Sequence, residues 1–193
     1  MKASWSEEIV SYDGTQLAPR FAYQKHGLVG DSIVSWQGPC AISFENMKDL
    51  EDVISQSKIE GSMMVHFIVE VFDWDLKGAV ALQRLLASIV KDVVDSRAAE
   101  SSVPAGKKEV KLIRKGDDLY LANTDKKLSI SVATASNTSC LIHFAVNVSN
   151  EGTPVPTCSL NELRIDVQKF GQAVMANFVN EYGTILEARS KTR

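Results

Sequence analysis

The chain has 193 residues, of which 45% are hydrophobic and 23% are charged, so it can bury enough surface for the core of a single domain. Its 21 basic and 24 acidic residues give a net charge of −3, which excludes a polycationic nucleic-acid binder and argues against an anionic-membrane binder. The amino terminus has no apolar segment of signal-peptide length, and Cys40, Cys140 and Cys158 form no CxxC pair, so we expect a reducing, cytoplasmic location.

The first half of the chain contains five predicted strands and two predicted helices. Apolar runs and alternation predict the strands, at about 8–12, 20–24, 32–37, 40–44 and 62–72. Asn46 can cap a short helix, and Asp75 can cap a longer one that reaches about Arg97. Alternation in the last strand puts His66 and Glu70 on one face, which is either a site for proton transfer or an ordinary half-exposed surface. The opposite face is uniformly apolar and is expected to be core.

The second half contains four more predicted strands and one helix. Residues rich in Ser, Pro, Gly and charge at about 98–108 predict an exposed loop between two halves of the domain. Strands are predicted at about 109–114, 118–122, 127–134 and 139–148, followed by a proline-containing loop at 151–156 and a helix from about Asp166. Short connections and few helices between strands predict an α+β fold, with a mostly antiparallel mixed sheet and packed helices.

Common catalytic motifs are missing from the sequence. It contains no GxxxxGK[ST], GxGxxG, GxSxG or HExxH, and three dispersed histidines favour the absence of a metal site. Glycines within 26–40 form either two ordinary turns or a place where the backbone approaches a ligand. A lysine after the glycine turn at 114–120 could bind an anion or a carbonyl group, although a solvated hairpin explains the same spacing. The thiol of Cys158 needs a nearby cation to become reactive.

Five segments together resemble a family of uncharacterised prokaryotic proteins of about this length, a domain of unknown function. They are 30–33 (Gly-Asp-Ser-Ile), 38–40 (Gly-Pro-Cys), 66–68 (His-Phe-Ile), 83–86 (Gln-Arg-Leu-Leu) and 116–120 (Gly-Asp-Asp-Leu-Tyr). The fold of that family is similar to the catalytic domain of biotin and lipoate protein ligases, which is related to class II aminoacyl-tRNA synthetases. The resemblance therefore implies a biotin/lipoate ligase-like fold.

Three segments of the second half resemble the ligases directly. Residues 114–120 are similar to the ligase segment Lys-Trp-Pro-Asn-Asp-Ile-Tyr, 127–128 to the Lys-Leu that follows it, and 146–148 to the end of a Gly-Ile-Asn-Val strand. The resemblance implies that Lys127 contacts an acyl carbonyl and an adenylate phosphate. Further residues are expected to line the same pocket, with His66 or Glu70 as an acid or base and, for ligand binding, Asp31, Arg84, Arg114, Asp117, Asp118 and Asn147.

A related group, the octanoyl transferases, pairs a lysine with a cysteine nucleophile. In those enzymes the cysteine follows a proline loop after a His-Gly-Phe-Ala-Leu-Asn-Val strand. Here the segment 143–148 precedes Cys158 by a similar spacing. The resemblance thus implies a dyad of Lys127 and Cys158.

One ligase feature has no counterpart in the sequence. Ligases carry a Gly-Arg-rich loop or an Arg-Arg-x-Thr-Gly-Gly-Gly segment over the adenylate, whereas 59–66 reads Ile-Glu-Gly-Ser-Met-Met-Val-His. Three functions therefore stay open. They are a ligase-like enzyme for a small carboxylate, with ATP and magnesium as cofactors, a non-catalytic ligand-binding protein, and a Cys/Lys acyl transferase supplied by an acyl carrier. A homodimer could form through the 6–13 strand.

Overall fold

A computed structural model describes residues 1–100, 110–151, 153 and 155–193. Seven strands and four helices lie within these residues. In chain order they are β1 (Lys2–Trp5), α1 (Phe21–His26), β2 (Ser32–Ala41), α2 (Leu50–Ser55), β3 (Glu60–Val71), α3 (Leu76–Glu100), β4 (Leu112–Lys115), β5 (Asp118–Leu121), β6 (Ser129–Ala135), β7 (Cys140–Asn147) and α4 (Val167–Lys191).

Five of these strands form one sheet in the order β1-β2-β3-β7-β6. The edge strand β1 pairs parallel with β2, and the other neighbours pair antiparallel. Strands β4 and β5 form a separate antiparallel hairpin. The predicted α+β architecture, with a mostly antiparallel mixed sheet and packed helices, is confirmed.

Helices α3 and α4 cover one face of the sheet. The apolar face of β3, including Val65, Phe67 and Val69, packs in one buried cluster with Leu86 of α3 and Phe170 of α4. Asp75 and Asp166 cap these two helices, because their carboxylates accept hydrogen bonds from Gly78 N and Lys169 N. The cap at Asp75 and a helix start near Asp166 were predicted. Among the described residues, no helix combines the length and the apolarity that a membrane span requires.

The other face of the sheet is closed by residues 10–28, which we call the cover segment. Tyr12, Leu17 and Ala22 of this segment pack in a second buried cluster with Trp36 and Ile68 of the sheet. The sheet face that carries His66 and Glu70 is therefore buried. A half-exposed surface, one of the two interpretations of this face, is wrong.

Two predicted strands in the first half are wrong. Residues 8–12 run along β2 but form only an isolated bridge between Tyr12 and Cys40, so they are not a strand. Residues 20–24 belong mostly to helix α1, although their apolar alternation resembles a strand. The helix forms because Glu70 accepts hydrogen bonds from the backbone N–H of Arg20 at its start, and because Gly27 ends it in the left-handed conformation.

Strand β2 is continuous where the sequence predicted two strands. It passes through Gly38, and a register shift between Gly38 and Cys40 accommodates the proline. A Cβ atom on Gly38 would lie 1.8 Å from the carbonyl oxygen of Val10. The close approach expected near this glycine is therefore made by the cover segment and not by a ligand.

The predicted loop at about 98–108 begins too early. Residues 98–100 continue helix α3, and 101–109 lie outside the described residues, as do 152 and 154 of the predicted proline loop. The short helix begins after Asp49, whose carboxylate accepts from Glu51 N, and not after Asn46. The remaining predicted strands and helices are confirmed with shifts of a few residues at their ends.

Asp31 connects helix α4 to the sheet, which gives a first prediction. It accepts hydrogen bonds from Phe72 N at 2.8 Å and from the buried hydroxyl of Tyr182 at 2.5 Å. Because a hydrogen bond to a charged group contributes about 1.5–3 kcal/mol, Tyr182→Phe should lower the free energy of unfolding by about 2 kcal/mol. Urea denaturation measures the change.

The matched control is Tyr23→Phe, because Tyr23 is exposed. Its effect should stay within about 0.5 kcal/mol. Equal effects of the two substitutions would contradict the structural role of Asp31.

Candidate functional site

A cavity of about 480 Å³ opens on the sheet face opposite α3 and α4. It lies between the β2–β3 connection, the β4–β5 turn, the strands β6 and β7, and the end of the cover segment. Its buried lining includes three apolar residues, Tyr12, Leu17 and Met64, beside polar ones, and Ile130 and Val132 of β6 contribute half-buried apolar side chains. Of the predicted site residues, the lining contains Asp117, Asp118, Lys127 and Asn147.

Lys127 is the central cation of this cavity. Its ammonium Nζ lies 2.8 Å from Asp118 Oδ1, and both side chains are a little over a quarter exposed. Both backbone groups of Lys127 bond to the segment around Thr157, since Lys127 N donates to Pro156 O and Lys127 O accepts from Cys158 N. The position of the lysine in the cavity is thus fixed by its backbone, while the side chain keeps access to solvent.

Asn147 supports the same segment from β7. Its Nδ2 donates to Lys127 O and to Cys158 O, at 3.2 Å in both cases. Because both partners are carbonyl oxygens, which only accept, the amino group of the amide must face them. The amide oxygen Oδ1 then points away from these two carbonyls. Within the described part of the chain, Oδ1 has no hydrogen-bond partner. Asn147 lines the cavity, so its amide is one of the polar groups there.

Asp117 is the centre of a hydrogen-bonded cluster at the edge of the cavity. It pairs with Arg84 and accepts from Gln83 Nε2 at 2.9 Å and from Ser131 Oγ at 2.5 Å. The guanidinium of Arg84 also lies against Gly116, where an added Cβ would meet it at 2.7 Å. Arg84 is thus directed at the β4–β5 turn, and it affects the cavity through Asp117.

The charges around the cavity are mainly negative. Three lysines, Lys48, Lys58 and Lys127, face six carboxylates, namely Asp49, Glu51, Asp52, Glu60, Asp117 and Asp118. Burial and the neighbouring Asp49 raise the pKa of Asp52, although Lys127 opposes the rise. The electrostatic potential at this opening therefore favours a ligand with few negative charges.

The residues of this cavity do not fit a nucleotide triphosphate. In ligases a Gly-Arg-rich loop lies over the adenylate, whereas the β2–β3 connection here, residues 42–59, contains neither glycine nor arginine. It contributes Asp49, Glu51 and Asp52 to the lining instead. Among the described residues, no group of three or more His, Cys, Asp or Glu side chains is arranged to hold a metal ion.

A pair of buried histidines lies behind the cavity. His66 Nε2 is 3.1 Å from the carbonyl oxygen of Gly38, and His66 Nδ1 is 3.1 Å from His143 Nε2. The ring of Tyr12 stacks on His143 with the ring centroids 3.7 Å apart. Burial lowers the pKa of His66 to about 4 and holds the pKa of His143 well below its usual value, so both rings are neutral at pH 7.

Of the two histidines, only His143 lines the cavity, and the sequence did not single it out as a site residue. A signal was present, because residues 143, 145 and 147 share one face of a strand and Asn147 was already a candidate. His66, which was a candidate, does not line the cavity and is linked to it through its hydrogen bond with His143.

The other four candidate residues lie outside the cavity lining. Glu70 accepts from Arg20 N and from Ser139 Oγ, and Asp31 connects α4 to the sheet. Arg114 bonds to the carbonyl of Gly116 at an exposed turn.

Cys158 packs its thiol in the core on the helix side of the sheet. Burial raises the pKa of this thiol to about 11. The backbones of Lys127 and Cys158 are hydrogen-bonded, but a neutral, buried thiol is a poor nucleophile.

The sequence profile of a family described as a domain of unknown function, DUF366, matches residues 1–193. The chain belongs to this family. An uncharacterised protein of Methanocaldococcus jannaschii is 33% identical over 199 residues, which cover 100% of this chain and 84% of that protein. A protein of unknown function from Pyrococcus horikoshi superposes with a TM-score of 0.89 at 32% identity, covering 100% of this chain and 97% of the other.

The DUF366 fold is similar to that of a biotin protein ligase. The Aquifex aeolicus enzyme in complex with biotin and ATP superposes with a TM-score of 0.57 at 13% identity, covering 99% of this chain and 73% of the ligase. At this identity the similarity is one of fold. The family and the biotin/lipoate ligase-like fold, both expected from the resemblance, are confirmed.

The buried histidine pair predicts a loss of stability in acid. Unfolded histidine has a pKa near 6.5, and both folded pKa values are lower, so the unfolded chain binds the additional protons. The free energy of unfolding should be highest above pH 6.5 and should decrease as the pH falls towards 4. At pH 5, the proton that each histidine binds on unfolding should lower the free energy of unfolding by about 2 kcal/mol. Urea denaturation at pH 7.5 and pH 5 measures this loss.

In His143→Phe the loss between these two pH values should shrink by about 2 kcal/mol, because one of the two groups is gone. His26→Gln is the control, since His26 is only half-buried and its pKa is lowered less. A loss in His143→Phe as large as in the wild type would show that this ring is not buried in its neutral form.

Proposed function

We propose that the protein binds a small carboxylic acid with an apolar body in this cavity, with the carboxylate against the ammonium of Lys127. The observation that carries the proposal is the position of that ammonium, which Asp118 holds at the edge of a cavity whose lining also has an apolar part, formed by Tyr12, Leu17 and Met64. A volume of about 480 Å³ is in the range of small-molecule sites.

The hydrogen-bonding capacity of Lys127 supports this assignment. An ammonium has three donors, and Asp118 uses one of them. The remaining donors can reach a ligand carboxylate without breaking the ion pair. Because the other charges of the lining are mainly carboxylates, a monoanion is accommodated here at a lower electrostatic cost than a polyanion.

Binding without catalysis is the form of the proposal that the charges favour. Adenylation would bring a triphosphate to a surface with six carboxylates and no arginine in the connection above it. A ligase remains the second candidate, because Lys127, Leu128 and Asn147 occupy the positions at which the sequence resembles the ligases. Acyl transfer through Cys158 has less support, since that thiol is buried on the helix side.

Ligand binding can be tested by the shift in unfolding temperature with biotin, lipoate and octanoate. At least one acid should raise the unfolding temperature, because a ligand at 100 times its Kd stabilises the folded state by about 2.7 kcal/mol. Lys127→Ala should weaken binding of that acid by about tenfold or more, since it removes a charged hydrogen bond.

Lys126→Ala is the matched control. Lys126 is the adjacent residue and has the same charge, but it pairs with Glu162 outside the cavity lining. Its removal should leave the affinity unchanged. The proposal fails if none of the acids raises the unfolding temperature, or if the two lysine variants bind equally well.

Binding and ligation are distinguished by pyrophosphate release. With the bound acid, ATP and magnesium, we expect no pyrophosphate above the level of a reaction without protein, because the cavity opening repels the triphosphate. A coupled phosphate assay measures the release. Pyrophosphate that depends on both the acid and Lys127 would replace the binding proposal with the ligase.

A further inference from the structure

The histidine pair has a defined direction of hydrogen bonding. The carbonyl oxygen of Gly38 can only accept, so His66 Nε2 must carry a proton. Because neutral histidine has one N–H, His66 Nδ1 is then an acceptor, and the proton between the two rings belongs to His143 Nε2. His143 Nδ1 is left as a lone-pair acceptor.

This lone pair belongs to a buried side chain at the cavity. His143 is 1% exposed, lines the cavity and is fixed in orientation by the stacked ring of Tyr12. In the part of the chain that the structure describes, no donor lies within hydrogen-bonding distance of Nδ1. Because His143 lines the cavity, a bound molecule can offer this acceptor a donor.

We propose that His143 Nδ1 is a specificity-determining acceptor, and that the ligand of the cavity places an N–H or O–H donor against it. This inference rests on the proposed function, because it concerns the same ligand. It specifies the chemical group at the end of the ligand that lies away from the carboxylate. The direction set by Gly38 and His66 excludes a donor role for Nδ1, so a ligand with only acceptors or only apolar groups at this end leaves the nitrogen unpaired.

The spacing of the two ends also defines the shape of the ligand. His143 and Asn147 lie on one face of β7, four residues apart, which is about 13 Å along an antiparallel strand. Asn147 supports Lys127 through the carbonyl of that residue. We therefore place the carboxylate and the donor towards opposite ends of the ligand, with an apolar part against Ile130, which pairs with Ala145 midway between His143 and Asn147.

Matched ligands test the acceptor directly. 8-Hydroxyoctanoate and 8-methoxyoctanoate share the carboxylate, the chain and the terminal oxygen, but only the first has a donor. Octanoate lacks the terminal oxygen, and biotin carries N–H donors. By isothermal titration calorimetry, 8-hydroxyoctanoate should bind about tenfold more tightly than 8-methoxyoctanoate or octanoate, and biotin should group with the donors.

Two variants show which residue causes a difference in affinity between these ligands. His143→Phe should make the affinities for 8-hydroxyoctanoate and 8-methoxyoctanoate equal, whereas Lys127→Ala should weaken all four acids and keep the preference. Equal affinity of the wild type for the hydroxy and methoxy acids overturns the role of His143 and leaves the proposed function standing. Binding of none of the four acids overturns both.

The direction of the hydrogen bonds can be measured on the wild-type protein without a ligand, and so does not depend on the folding of a variant. Nitrogen-15 chemical shifts of the imidazole rings at pH 7 should show the Nε2–H tautomer for both His66 and His143. A proton on Nδ1 of His143 would overturn the inference, whatever the calorimetry shows.

Discussion

A buried polar group needs a hydrogen-bond partner, and this requirement organises the sheet face opposite the helices. The face carries Glu70 and His66, which find their partners in different places. The backbone of Arg20 in the cover segment donates to Glu70, whereas His66 is satisfied within the sheet, by the carbonyl of Gly38 in β2 and by His143 in β7. A polar side chain of the sheet thus determines where an otherwise irregular segment lies, and why it contains a short helix in place of a strand.

The cavity exists where this cover ends. Beyond Tyr12 and Leu17, the face of β6 and β7 is left to the β2–β3 connection, whose residues are mostly exposed and include several carboxylates. His143 is the last ring covered by the segment, and Asn147 lies four residues further along the same strand. Where the cover segment no longer supplies partners, the polar groups of His143 and Asn147 remain available, and they contribute to the polarity of the cavity.

The resemblance to the ligase segments pointed to Lys127, Asp118 and Asn147, because such a resemblance is carried by short local stretches of sequence. Helix α1 was predicted as a strand because its conformation depends on Glu70, 50 residues away along the chain. Glu70 and His66 were correctly placed on a strand, but which side of the sheet is open depends on the packing of the cover segment and of the helices. His143 was not singled out for the same reason, since only the stacked Tyr12 and the end of the cover distinguish it from its neighbours.

The similarity to a biotin protein ligase concerns the backbone, whereas the chemistry of the cavity depends on the side chains placed upon it. Lys127 remains at the edge of the sheet, where its backbone is hydrogen-bonded on both sides, so its position follows from the fold. The β2–β3 connection is free to change, because it lies over the cavity and few of its residues are buried. Carboxylates in that connection oppose the binding of a triphosphate, whereas Lys127, Tyr12 and Leu17 lie outside it. The proposed binding of an acid without a nucleotide therefore depends on the side chains of this connection and makes no demand on the core of the fold.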